Sequence, residues 1–221
     1  MKKIFVWDLP LRLFHWALVI LVSVSLYTGL TGGLTLMDYH MLSGYGILTL
    51  LVFRLAWGLF GTRYARFAAF VYSARTILRA ARDLFHRSGE PYIGHNPLGS
   101  LSVLAFIVAL LVQAGTGLFA NDDIFTEGPL VHLVSDATSN QLTRIHRTNV
   151  WIIAVLIGLH LTAVTFYEAY KRQRLITPMI TGKKIVAENT AATQDKGHRL
   201  LVATVLLALS AACVYGLINY V

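Results

Sequence analysis

Residues 144–169 read RIHRTNVWIIAVLIGLHLTAVTFYEA. From position 148 to 167 there are 20 residues without Asp, Glu, Lys or Arg. That is enough for a helix to cross a hydrocarbon core of ~30 Å. Two ionisable side chains belong to this stretch all the same: His146 just ahead of it and His160 inside it. Fourteen residues at about 100° each fall within about 40° of four full turns. His146 and His160 therefore share one face of the helix, about 21 Å apart along its axis. One stands near each membrane surface. Ionisable groups in a membrane are costly and mark function.

The rest of the chain has the same texture. Charge-free runs of 25, 31 and 22 residues follow Arg12, Glu90 and Arg199. With 148–167 they give spans at about 13–31, 98–119, 148–167 and 200–220. A further apolar run at 40–60 is broken only by Arg54, close enough to its end for the guanidinium to snorkel to the interface. The expected fold is all-α, an integral membrane helical bundle of five spans. Composition agrees: 56% of the 221 residues are hydrophobic and 14% are charged, with a mean hydropathy of +0.60. A soluble domain carries about 25% charged residues. The single cysteine, Cys213, excludes a disulfide framework, a thiolate zinc site, an iron–sulfur cluster held by this chain and covalent haem attachment. The first apolar run is too long for a cleavable signal peptide, and no small-x-small site follows it.

The net charge of +8 has a membrane explanation rather than a nucleic-acid one. Residues 1–12, 61–97 and 168–199 hold sixteen of the Lys and Arg residues, against Arg144 and Arg147 on the other side. That other side carries Asp38, Asp122, Asp123, Glu127 and Asp136. Positive charge stays inside, so the N-terminus is expected in the cytoplasm and the C-terminus in the periplasm. Residues 65–86 mix apolar positions with four arginines and read as a basic amphipathic surface helix or a plain surface loop. Asn96 and Pro97 start the third span as cap and first-turn proline. Residues 120–143 read as a long acidic outer loop.

Of the eight histidines, His86, His95, His132 and His198 fall in loops or at interfaces and read as solvated. The other four pair by depth. Span one runs inside to outside and brings His15 to the level of His160. Span two runs back and starts with His40 at the level of His146. Two facing imidazoles in a bundle fill both axial positions of a low-spin haem iron; histidines that merely pack helices are the alternative. A zinc or di-iron site would want carboxylates or ligands clustered at one depth, and the spans hold no Asp or Glu. Gly44 and Gly46, Gly115 and Gly117, and Gly158 are small enough to admit a flat macrocycle, although glycine also serves helix packing. Arg12, Arg54, Arg144 and Arg147 lie near the two depths, placed for propionates or for headgroups.

A set of motifs carries a family resemblance. They are VWDLPLRLFHW at 6–16, YHMLSGYGILTLLVFRLAWGLFGTRYARF at 39–67, GHNPLGSLSVLAFIVALLVQAGTGLF at 94–119, the 144–151 and 158–160 regions, and MITGKK at 179–184. Together they resemble the bacterial di-haem cytochrome b family, which includes the small cytochrome b-561 proteins and the cytochrome b subunits of nickel–iron hydrogenases. The resemblance covers roughly residues 6–184. It implies axial ligands at His15, His40, His146 and His160 and two non-covalent b haems in a four-helix core. It implies a di-haem domain over 1–184, with a linker and an added helix over 185–221. It implies electron transfer across the inner membrane between quinone and a periplasmic partner, such as a c-type cytochrome or hydrogenase subunit. Within the same resemblance, a self-contained oxidoreductase passing electrons from superoxide or another small donor to quinone is the second reading. A haem-free anchor or transporter is the third. Two positions where the family often has an acid hold Met41 and Arg147 here. The span at 200–220 lies beyond the four-helix core of the small cytochromes.

Overall fold

The computed structural model describes residues 1–86, 92–122, 124, 126–188 and 199–220. Asp123 and His198 lie outside these. In chain order the elements are β1 (Lys2–Phe5), α1 (Leu9–Thr31), α2 (Leu34–Phe60), α3 (Ala74–Arg82), α4 (Pro97–Gly117), α5 (Asp136–Ala169), α6 (Ile176–Thr181), β2 (Lys183–Val186) and α7 (Leu200–Tyr220). Helices α1, α2, α4, α5 and α7 are each long and apolar enough to cross a membrane, one at each expected place. The protein is an all-α integral membrane bundle, with one two-stranded antiparallel ribbon, β1–β2, at an end.

Helix α2 is the hub. It packs against α1, α4 and α7, while α4 packs against α5. Midway along the bundle Ile47, Leu51, Ala109, Leu110 and Ile153 form a buried apolar layer. The fifth span joins the core at two levels, with Ala203 in the cluster of Leu11 and Trp57 and Val214 in that of Leu48. Side chains that face away from these contacts stay apolar and exposed, as lipid requires; Leu201 and Trp151 are examples.

Three boundaries depart from the sequence reading. Helix α2 begins at Leu34, so His40 sits well inside it. Helix α5 begins at Asp136, twelve residues before the charge-free run. Ser135 caps it by accepting from the Thr138 amide at 3.3 Å, and Asp136 stands at its positive end. At 34 residues α5 is about 50 Å long, so its polar first turns project past the hydrocarbon. The outer connection is correspondingly shorter than 120–143 and is closed by an Asn121–Glu127 bridge. Within 65–86 only Ala74–Arg82 is α-helical, started by a Ser73 cap. The residues before it make one 3-10 turn, Phe67–Ala69, that folds back beneath α2.

Both termini of the matched motifs converge at the basic end. Asp8 caps α1, accepting from the Leu11 amide at 2.7 Å. Its second oxygen accepts from Trp57 Nε1 at 3.1 Å and from the Thr62 hydroxyl. The Val6 amide donates to the Gly182 carbonyl at 2.9 Å, continuing the ribbon in which Lys2 pairs with Val186. Arg12 Nη1 donates to the Ile180 carbonyl and Trp16 Nε1 to that of Met179 at 3.3 Å. The segments VWDLP, RLAWGLFGT and MITGKK are thus one stapled structure. Asp8→Ala removes a cap and strands the Trp57 and Thr62 donors. It should destabilise the fold by about 2–3 kcal/mol, read as a lower melting temperature by circular dichroism in detergent. Asp8→Asn should recover part of the loss.

Candidate functional site

His40 on α2 and His146 on α5 meet between the helices, ring centroids 6.0 Å apart and planes perpendicular. Each ring leans on a third helix. His40 Nδ1 donates to the Ser25 carbonyl of α1 at 2.9 Å, and His146 Nδ1 to the Gln113 carbonyl of α4 at 2.9 Å. A carbonyl can only accept, so this network puts the proton on Nδ1 and the lone pair on Nε2 in both rings. Metal-binding histidines are oriented this way. One turn after each carbonyl comes a glycine. A Cβ on Gly29 would stand 2.6 Å from the His40 ring, and one on Gly117 would stand 2.9 Å from that of His146. Helices α1 and α4 present the same notch, a carbonyl followed by a missing side chain.

The pair opens into a cavity of about 520 Å³ lined also by Gly44, Met41, Arg147 and Trp151. A Cβ on Gly44 would meet nothing within 4 Å. Arg144 is exposed and does not line this cavity. Below it runs a buried polar chain. Asn149 Nδ2 donates to the Ala109 carbonyl and to Gln113 Oε1, both at 2.8 Å, and Gln113 Nε2 donates to His146 Nε2 at 3.1 Å. A metal on that nitrogen takes the same lone pair, so the Gln113 amide must then turn aside.

The donor set fits a haem. Two metal–nitrogen bonds of about 2 Å, plus a ring radius of roughly 1 Å on each side, place centroids about 6 Å apart. His40 and His146 meet that spacing.

The second pair lies toward the basic end. His15 and His160 are within electrostatic range of each other. His15 stands edge-on to Trp16 and His160 edge-on to Phe106, at 5.0 and 5.8 Å. Nδ1 of His15 is buried without a partner. Arg54 follows His40 by the same fourteen residues that separate His146 from His160. It therefore lies on the face of α2 that carries His40, about 21 Å deeper. Here the structure corrects the sequence reading. Arg54 does not snorkel to headgroups. It is 2% exposed, and Phe67 and Phe70 from the folded-back turn cover it at 4.9 and 5.7 Å. Both its Nη1 and Nη2 are buried without a hydrogen bond, as is Nε of Arg12. A buried charge without a partner costs several kcal/mol, and Asp8 offsets only part of it through space. These nitrogens are the donors that a carboxylate at this depth requires.

His95 is not solvated either. Trp7 and Phe70 hold its ring at 4.6 Å on each side. Burial pushes its pKa down to about 3, helped by the positive charges of Arg54 and Lys184. It is a neutral wedge at neutral pH. The sequence reading missed this role and those of Gly29, Gln113 and Asn149. A Ser25-to-Gly29 spacing matching Gln113-to-Gly117 was the signal available.

Residues 6–182 match the family model described as prokaryotic cytochrome b561. The chain is similar to proteins named probable Ni/Fe-hydrogenase B-type cytochrome subunit. That of Azotobacter vinelandii is 25% identical, covering 84% of this chain and 90% of the relative. That of Rhodobacter capsulatus is 24% identical, covering 82% and 81%. That of Rhizobium leguminosarum bv. viciae is 25% identical, covering 83% and 90%. No solved structure matches.

Proposed function

Because this chain belongs to the prokaryotic cytochrome b561 family, we propose that it holds two b haems, one between His40 and His146 and one between His15 and His160, and passes electrons across the bacterial inner membrane between quinone and a periplasmic redox partner. Family membership makes it a multi-pass bacterial membrane protein and a b-type cytochrome of electron transport. Bound haem supplies a one-electron iron couple.

The residues have separable tasks in this reading. His40 and His146 would hold haem through Nε2, with the Ser25 and Gln113 carbonyls keeping these two rings in place through Nδ1, and His15 and His160 would hold the second. With His15, His40, His146 and His160 all engaged in holding it, haem would supply electron transfer rather than oxygen binding. Arg12 and Arg54 would neutralise the inner propionates; Arg147, and Arg144 beyond it, would serve the outer ones. Gly44 and Gly158, with open space where a Cβ would stand, admit the macrocycle edges. The apolar layer of Ile47, Leu51 and Ile153 keeps water from between the two levels. The observation that carries the reading is the His40–His146 pair: two rings from different helices, 6.0 Å apart, each with its far nitrogen tied to a carbonyl.

Sixteen Lys and Arg residues favour the basic end in the cytoplasm. The opposite, acidic end is then the docking face. The relatives' names point to a hydrogenase subunit as its partner; a c-type cytochrome is the other partner class with the charge to suit it. The test is direct. Purified protein should yield close to two acid-extractable haems per chain. A periplasmic-type reporter fused after Val221 should be active, and one inserted near Arg82 silent. Fully helical protein without haem after haem-replete expression contradicts the cofactor reading, and the reverse reporter pattern contradicts the orientation.

A further inference from the structure

The face of α3 turned away from the bundle has no part in the haem reading. Arg75, Arg79 and Arg82 fall within about 60° of one another around the helix. With Leu78 they line one surface pocket. All four are exposed, and Leu78 is 60% exposed in the middle of the arginines. The opposite face, Thr76, Ile77 and Ala80, is partly buried, and α3 packs against α4. No hydrogen bond or ion pair joins the three arginines to an acidic side chain among the described residues.

The helix is also fixed in height. Before it, the Tyr72 hydroxyl donates to the His95 carbonyl at 3.0 Å, just ahead of α4. After it, the Tyr170 hydroxyl and Lys171 Nζ, at the end of α5, donate to the Phe85 and His86 carbonyls at 3.2 and 2.6 Å. Both ties lie where spanning helices leave the hydrocarbon. The helix is held at headgroup level, and the exposed side chains beside it, Val71 and Phe85, are apolar.

We propose that this arginine face is a binding site for the phosphate headgroup of an anionic phospholipid in the leaflet at the basic end of the bundle. A face meant only for water has no use for an exposed leucine between three arginines. In a headgroup layer both residue types are satisfied. The guanidiniums take phosphate oxygens in pairs, and Leu78 reaches the first methylenes of the acyl chains. The charge is complementary, and three donors from successive turns suit one phosphate better than a scattered basic loop does.

The test uses the full chain, purified in a neutral detergent and titrated with dioleoyl phosphatidylglycerol or dioleoyl phosphatidylcholine, with bound lipid counted by native mass spectrometry. The anionic lipid should bind about tenfold more tightly or better. Each arginine contributes about fivefold, so Arg79→Gln should weaken phosphatidylglycerol by about that factor and the triple Arg75→Gln, Arg79→Gln, Arg82→Gln variant by far more. Leu78→Ser should weaken it severalfold. Arg172→Gln with Arg174→Gln, a basic pair elsewhere at the same end, should change little. Undiminished binding by the triple variant overturns the proposal. So does an equal loss in the control pair, which would mean diffuse charge attraction. Displacement by millimolar inorganic phosphate, with no effect of Leu78→Ser, overturns it in favour of a free-phosphate site. Should the triple variant misfold by circular dichroism, Arg79→Gln decides: wild-type affinity there also overturns it.

Discussion

Gly29→Val and Gly117→Val are each expected to damage the outer of the two proposed haems, by loss or by conversion to a high-spin form. A Cβ at position 29 would lie 2.6 Å from the His40 ring, and one at 117 would lie 2.9 Å from the ring of His146. Neither ring can stay where it is. Moving it breaks the 2.9 Å bond from Nδ1 to the carbonyl one turn earlier. It also swings Nε2 off the line to its partner. Overpacking alone costs about 1–3 kcal/mol, and a ligand displaced by even 1 Å no longer closes a metal bond of about 2 Å. The inner pair lies about 21 Å away along the helices and should keep its haem. Gly115→Ala is the control, because a Cβ there meets nothing within 4 Å. Haem content by pyridine haemochrome, beside helicity by circular dichroism, separates loss of haem from loss of fold.

Arg54→Leu is expected to act on the proposed inner haem alone and to lower its midpoint potential. The guanidinium is 2% exposed and its terminal nitrogens have no partner. A fixed positive charge in a poorly screened place favours the reduced iron. Removing about 1.4 kcal/mol of that stabilisation corresponds to roughly 60 mV for a one-electron couple. Leucine keeps contact with Phe67 and Phe70, so a merely structural Arg54 predicts unchanged potentials. Arg54→Lys should fall between, keeping the charge but not the two-pronged donor. Potentiometry of the α-band in membranes reads the shift, and a fall confined to the outer haem would reassign the residue.

The spans were legible because charge is scarce within them: runs of 20 to 31 residues without Asp, Glu, Lys or Arg leave little choice. The start of α5 was not, since its first turns, DATSNQLTRIHRT, are as polar as a loop. The Ser135 cap and Asp136 were the only local signs that a helix had begun. Span direction and depth pair His40 with His146, and in the structure their ring centroids lie 6.0 Å apart. What holds them was hidden. Gly29 and Gly117 matter because of side chains 11 and 29 positions away in sequence, and glycine is common enough in membrane helices to carry no message by itself. Arg54 was misjudged for a related reason. Its burial depends on a turn, Phe67–Ala69, that folds back under α2, and the charge pattern of 65–86, which fits a surface helix or a plain loop equally, gives no sign of that turn. His95 shows the same limit: its aromatic walls, Trp7 and Phe70, come from two distant segments.

The central claim is that the four histidines work as two pairs at two depths. Potentiometric titration of His15→Ala, His40→Ala, His146→Ala and His160→Ala in membranes tests it most directly. A lost ligand need not expel the haem, so a high-spin signal or a shifted potential counts as damage. His40→Ala and His146→Ala should damage one common haem and leave the other intact, and His15→Ala should resemble His160→Ala. If His40→Ala and His160→Ala instead damage one haem while His146→Ala damages the other, the pairing by depth is wrong.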